Sequence, residues 1–221
     1  GTVVVDATYF PDELMALHAL VPSGAPVALL ATHSHFDHLL GRLAFPDAPL
    51  HVSRATALRI ADDADEPSRD LYDSDVRVYL PARPLVLAPL APAGELAARL
   101  KFVDAPGHAP DGIAVVAEDV VCVGDYLSDV EIPLISAAGS LPDYEATLER
   151  LRAVVSDAPL VVCGHGSPWD GTAALARLDE DLRYLERLRD GDPDQPLPSG
   201  RDTPRQREIH RANIERHVQL A

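Results

Sequence analysis

The sequence contains one lysine (Lys101), one methionine, one tryptophan and two cysteines in 221 residues. It has no run of about 18 apolar residues, which rules out a membrane-spanning helix of ordinary length. Positive charge is scarce. Nineteen basic residues against 35 acidic ones give a formal net charge of -16. That balance disfavours nucleic acid and anionic membrane surfaces, because binding to phosphates rests on charge neutralisation. Cys122 and Cys163 lie in the apolar runs VVCVG and LVVCG, where reduced, buried thiols are expected rather than a disulfide. No signal peptide precedes the first strand-like run, so cytoplasm is the default compartment. The chain begins with Gly, not Met, which leaves room for a missing N-terminal segment.

What is present reads as a globular α/β chain. Apolar residues make up 47% and charged residues 24%, enough to bury a sizeable core. Strand-like runs fall at 3–5, 27–32, 51–53, 101–105, 113–117, 120–124 and 160–163, and the last hairpin-like pair is separated only by Glu118 and Asp119. Helical patterns fall at 11–20, 55–61, 143–155 (capped by Asp143), 172–189 and about 205–219. The leucine stripe of 172–189 is expected to be core packing. The acidic stretch 62–75 reads as a loop, and the proline-rich 81–95 as edge strand and loop. Residues 1–190 are taken as the main domain, and 191–221 as a Pro-rich linker with a C-terminal helix. The 81–95 stretch and that arginine-rich helix are candidate pocket walls or dimer surfaces, which leaves a homodimer open.

One stretch stands apart. ATHSHFDHLLG, residues 31–41, places His33, His35, Asp37 and His38 within six positions. A pattern of this kind arises by chance in roughly one such chain in a thousand. Burying three imidazoles and a carboxylate together is costly unless a divalent cation compensates. Residues two apart in extended backbone point the same way, so His33 and His35 can grip one ion, while Asp37 and His38, on a following turn, reach a neighbouring position. Downstream, His108 in PGH, Asp125 in VGDY and His165 in CGHG each follow an apolar run. Asp6, after VVV, is a candidate supporting residue. Nitrogen donors with carboxylates suit zinc, with iron or manganese as alternatives. His18, His51, His210 and His217 are read as structural or surface residues.

THSHFDH, PGH, GD and GHG, in this order and each after a strand, resemble the metallo-β-lactamase fold superfamily of hydrolases over roughly residues 1–170. The resemblance implies an αββα sandwich of two mixed sheets with helices outside and a metal site at one rim. It implies that His33, His35 and His108 hold a first ion, that Asp37, His38 and His165 hold a second, and that Asp125 bridges them. Two departures stand out. No N-terminal β-hairpin of the usual kind precedes VVVDAT, so either that segment has been lost or the domain is compact at this edge, and Asp-Ala-Thr replaces the more common Asp-Thr-Gly. His35, where flavodiiron relatives carry glutamate, argues against that branch, and 221 residues fall short of the length expected for the added domain of the RNA-processing relatives.

Two metals about 3.5–4 Å apart can share a hydroxide and direct it at a carbonyl, with the metal stabilising the oxyanion. The expected function is therefore zinc-dependent hydrolysis of a small-molecule ester, thioester, lactone or amide, with Asp37 as both ligand and orienting group. Scarce basic side chains disfavour a glyoxalase II-type glutathione thioester, and the absence of a visible export signal disfavours a β-lactamase. Tyr126 is a candidate donor to the oxyanion or leaving group and Trp169 a candidate pocket wall, with packing as the alternative for each. Two other functions compete: a mononuclear non-haem iron oxygenase of the persulfide dioxygenase type, and a non-catalytic metal-binding domain.

Overall fold

The computed structural model describes residues 1–218 and divides into two compact units, Gly1–Ala98 and the remainder from Arg99. The first unit runs β1 (Thr2–Val5), α1 (Pro11–Leu20), β2 (Val27–Leu30), α2 (Gly41–Ala44), β3 (Leu50–Val52), α3 (Arg54–Asp62), α4 (Glu66–Arg77) and β4 (Leu90–Pro92). Its sheet has the order β1-β2-β3-β4 and is parallel in every pairing, as helical crossovers between successive strands require. Leu29, Leu39, Leu40, Leu50, Val52 and Leu71 form the centre of its core. β4 ends in Pro92 and lies at the sheet edge, where a residue without an N–H does no harm.

The acidic stretch 62–75 is not a loop. It holds the end of α3 and most of α4. Asp and Ser are weak helix formers, so much of what holds α4 is tertiary, through a buried face that carries Pro67, Leu71 and Asp75. Leu71 is fully buried. The Asp75 side chain is 0% exposed. Its carboxylate accepts hydrogen bonds from the Tyr9 hydroxyl (2.9 Å) and from Arg83 through Nη2 (2.6 Å) and Nε (3.1 Å). Burial pushes the Asp75 carboxyl up, but the Arg83 and Tyr9 hydrogen bonds outweigh it and leave the pKa below its ordinary value. A depressed carboxyl stabilises the fold above the unfolded-state pKa, and that contribution disappears as pH falls through the folded-state value. Asp75→Asn is therefore expected to melt below wild type at pH 6, with the gap narrowing below about pH 4. Thermal unfolding of both proteins across this range checks it, and a gap that widens on acidification would contradict it.

The second unit runs β5 (Lys101–Asp104), β6 (Ile113–Ala117), β7 (Val120–Cys122), α5 (Leu141–Val155), β8 (Leu160–Val162), α6 (Gly171–Leu188) and α7 (Pro204–His217). Its sheet, β5-β6-β7-β8, is mixed: two antiparallel pairings, then a parallel one. Glu118 and Asp119 close the β6–β7 hairpin, with Glu118 at positive φ, as a two-residue loop demands. Ser140, not Asp143, caps α5: its hydroxyl accepts the Asp143 N–H (3.3 Å), and Asp143 sits inside the first turn. The α6 stripe packs inward through Ala174, Leu178, Leu185 and Leu188, and Ile209 and Ile214 of α7 join the same core. The expected extension of the last helix to residue 219 lies outside the described residues. No disulfide forms. Burial pushes the Cys163 thiol up to about 11, as befits a packed thiol. Among the described residues no helix is long and apolar enough to cross a membrane.

Candidate metal centre

Each unit presents its own set of ligand-type side chains beyond the carboxyl ends of adjacent parallel strands. In the first unit, Val5 of β1 is in register with Leu30 of β2, and the Asp6 amide donates to the Leu30 carbonyl (3.0 Å). Asp6 therefore sits beside the start of the histidine segment. Its carboxylate accepts the Thr32 amide (2.9 Å) and the Thr32 hydroxyl (2.8 Å). It also accepts from Nδ1 of His38 (2.8 Å). A carboxylate can only accept here, so the His38 proton is on Nδ1 and Nε2 is the atom offered to a cation. Asp6, expected as a supporting residue, is thus hydrogen-bonded to both Thr32 and His38.

The same logic reaches His33. With the Thr32 hydroxyl hydrogen given to Asp6, Nδ1 of His33 at 3.1 Å donates to Thr32 Oγ1. Nε2 of His33 then turns toward Nδ1 of His35, 3.0 Å away. Two ligands on one tetrahedral zinc with bonds of about 2.0–2.1 Å lie roughly 3.3 Å apart, so these nitrogens converge as a chelating pair would. Asp37 and His38 follow on a 3-10 turn, Phe36–His38, with Oδ2 of Asp37 3.8 Å from Nε2 of His38.

In the second unit, Cys122 of β7 pairs in parallel with Val162 of β8. Asp125 and His165 each lie three positions beyond that pair, and the Gly164 amide donates to the Gly124 carbonyl (2.8 Å) to hold the two turns side by side. His108 comes from the turn after β5. Gly107 before it has φ 131°, and a Cβ there would lie 2.3 Å from Cα of Tyr144, so only glycine fits. His108 Nδ1 donates to the Leu134 carbonyl (2.8 Å), which again leaves Nε2 as the ligating atom. That nitrogen is 3.2 Å from Oδ2 of Asp125, while Nε2 of His165 is 3.5 Å from Oδ1. One carboxylate thus turns each of its oxygens toward a different imidazole nitrogen. This arrangement suits a bridging carboxylate, and the donor set fits divalent metal.

The polar groups of Tyr126 and Trp169, the two expected substrate contacts, are both engaged with backbone. Tyr126 is buried. Its hydroxyl accepts the His108 amide (3.0 Å) and lies 3.0 Å from the carbonyls of Ala105 and Pro106, to which it donates. Desolvation raises its pKa well above the ordinary tyrosine value, so the proton stays on. The Trp169 indole donates to the Leu127 carbonyl (2.9 Å) and carries Arg177 over its ring. Of the histidines read as structural or surface residues, His51 and His210 are buried, with Nδ1 of His51 donating to the Leu29 carbonyl (3.1 Å) and the His210 ring against Tyr184. Sequence reasoning missed Thr32 and the Leu134 carbonyl. Thr32 is part of the THSHFDH motif and could have been found there. A backbone carbonyl leaves no signal in residue identity.

Comparison with known proteins agrees with this construction. The metallo-beta-lactamase superfamily matches residues 1–165. The chain is 27% identical over 198 residues to avaE of Aspergillus versicolor, a protein named for a transcription-factor role, covering 79% of this chain and 56% of that protein. It is also 27% identical over 166 residues to the acyl-coenzyme A thioesterase MBLAC2 of Gallus gallus, covering 66% and 59%. The chain thus spans 56% and 59% of the lengths of these two relatives. Among solved structures, TTHA1623 in a di-iron-bound form superposes with a TM-score of 0.58 at 21% identity, covering 78% of this chain and 85% of that one. The match spans the Asp6, HxHxDH, His108, Asp125 and His165 positions together, and the chain belongs to the metallo-beta-lactamase superfamily.

Proposed function

We propose that this chain is a dinuclear zinc hydrolase acting on the carbonyl of a small-molecule ester, thioester, lactone or amide. In this reading His33, His35 and His108 hold one ion, Asp37, His38 and His165 hold the other, and Asp125 serves both. The observation that carries it is Asp125, whose two oxygens face Nε2 of His108 and Nε2 of His165 at 3.2 and 3.5 Å. When bound, a metal pair lowers the pKa of water and polarises a carbonyl. Around that chemistry, Asp6 and Thr32 fix the ring orientations of His33 and His38, and Asp37 orients the attacking water through its carboxylate. The tyrosine and tryptophan near the site contribute support, so leaving-group protonation falls to water or to Asp37. The thioesterase name of the Gallus gallus relative places thioesters first among the substrates to try.

A panel of thioesters, lactones, esters and β-lactams, assayed with zinc, iron and manganese, tests the proposal, with metal content measured in parallel. Chelation is expected to abolish turnover and to lower the melting temperature. Metal at 1,000 times its Kd contributes about 4 kcal/mol to the native state. Turnover that persists after verified metal removal would end the hydrolase reading.

A further inference from the structure

Residues 130–136 have no regular secondary structure, yet their backbone polar groups are met by side chains from the C-terminal segment. Gln206 Oε1 accepts the Ile132 amide (2.8 Å). Asn213 Oδ1 accepts the Ile135 amide (3.1 Å), and Asn213 Nδ2 donates to the Pro133 carbonyl (2.7 Å). Arg201 Nη1 donates to the Glu131 carbonyl (2.9 Å), and Nε2 of His217 lies 3.1 Å from the Ser136 carbonyl. Both neighbours of Leu134 are therefore tied to a single side chain, that of Asn213. The Leu134 carbonyl between them receives the Nδ1 proton of His108 at 2.8 Å. At the other end of the same segment Asp129 Oδ1 accepts the Ser167 amide (2.9 Å), two residues after His165.

We infer that Asn213 and Gln206 of α7 are positioning residues for the metal centre: they set the place of the Leu134 carbonyl and through it the tautomer and ring orientation of His108. The inference rests on His108 being a ligand, as proposed above. An amide is suited to the task because it offers a donor and an acceptor in one plane, and Asn213 uses both on residues two apart in one segment. Asn213 and Gln206 are buried, so neither gains from solvent. α7 lies beyond the residues matched by the superfamily, 1–165, so this support belongs to the chain's own C-terminal portion. Partners that orient a ligating histidine typically change metal affinity 10–100-fold when removed.

The test uses the full chain with zinc as the probe. Asn213→Asp keeps the size of the side chain but loses the donor and sets an anionic oxygen against the Pro133 carbonyl. Gln206→Met removes one hydrogen bond and is the milder variant should Asn213→Asp not fold. Ile209→Ala is the packing control, since Ile209 is buried on the same helix and touches the core. Zinc affinity is read by chelator competition, and the His108 ring by ¹H–¹⁵N NMR of the metal-free protein. Expected are a loss of about tenfold or more in affinity for one ion in Asn213→Asp, a smaller loss in Gln206→Met, and loss or broadening of the His108 Nδ1–H signal in both. Ile209→Ala should melt lower yet keep wild-type affinity and the ring signal. Affinity within about twofold of wild type with an unchanged ring signal in the two amide variants overturns the inference, as does an equal loss of affinity in Ile209→Ala. If wild type binds no zinc, the dinuclear reading fails, while the ring signal of the metal-free protein still decides whether α7 orients His108.

Discussion

Asp125→Asn is expected to bind both ions more weakly than wild type and to lower kcat/KM by on the order of 10³-fold, the scale of losing a metal-activated nucleophile. Asp125 faces His108 Nε2 with one oxygen and His165 Nε2 with the other. Asparagine offers one neutral oxygen in the same volume, so the variant should fold while leaving two cations less compensated. His165→Ala makes the contrast. The His165 side chain is 35% exposed, against 8% for Asp125, so its removal opens one position without disturbing the turn that holds Asp125. This variant should retain about one ion, held by His33, His35 and His108, with a firmer grip on it than Asp125→Asn. Metal titration of the three proteins separates the outcomes. Two ions bound with wild-type affinity in His165→Ala would make His165 a structural or substrate residue.

The largest stability effect is expected at Arg201, which is fully buried. Its guanidinium donates to Asp181 (2.6 Å), Glu180 (2.8 Å) and the Glu131 carbonyl (2.9 Å). Arg201→Met should cost about 3–5 kcal/mol, because it leaves Asp181 buried without its counter-charge. Burial pushes the Asp181 carboxyl up to about 6, even with Arg201 pulling it down. A group raised in the folded state favours folding below its unfolded-state pKa, and that advantage is lost as pH rises through the folded-state value. Without Arg201 the carboxyl is raised further. The variant should therefore lie closer to wild type at pH 5 than at pH 8. Adding Asp181→Leu removes the stranded charge and should recover much of the loss. Denaturant unfolding at the two pH values checks each point, and a single variant within about 1 kcal/mol of wild type at pH 8 would refute the account.

The sequence was most legible where one residue type carries the signal. The helix 11–20 and the strand 113–117 have the bounds that periodicity predicted. The candidate ligand residues stood out because His33, His35 and His38 cluster within six positions. What escaped was held by distant groups or by backbone. α4 carries little intrinsic helix preference. Its anchor is Asp75, whose partner Tyr9 is 66 positions away. Ser140 and Asp143 both suit a helix start, and only the hydrogen bond from the Asp143 amide to the Ser140 hydroxyl tells cap from first turn. Tyr126 looked like a site residue because it follows Asp125, but its hydroxyl points back to the turn that carries His108. The Leu134 carbonyl was invisible for a simpler reason: every residue has one.

The parallel pairing of β1 with β2 and of β7 with β8 has a consequence for how chains of this kind can vary in length. Asp6 meets Thr32 because Val5 is level with Leu30, and Asp125 meets His165 because Cys122 is level with Val162. The intervening polypeptide returns the chain to the right level, through α1 in one case and α5 in the other. Insertions in the 21–26 or 156–159 connections leave the donors facing one another, whereas a single deletion inside a three- or four-residue strand shifts the donor by one position and turns the strand's side chains to the opposite face. Motif order is therefore fixed by geometry, and motif spacing is a free variable.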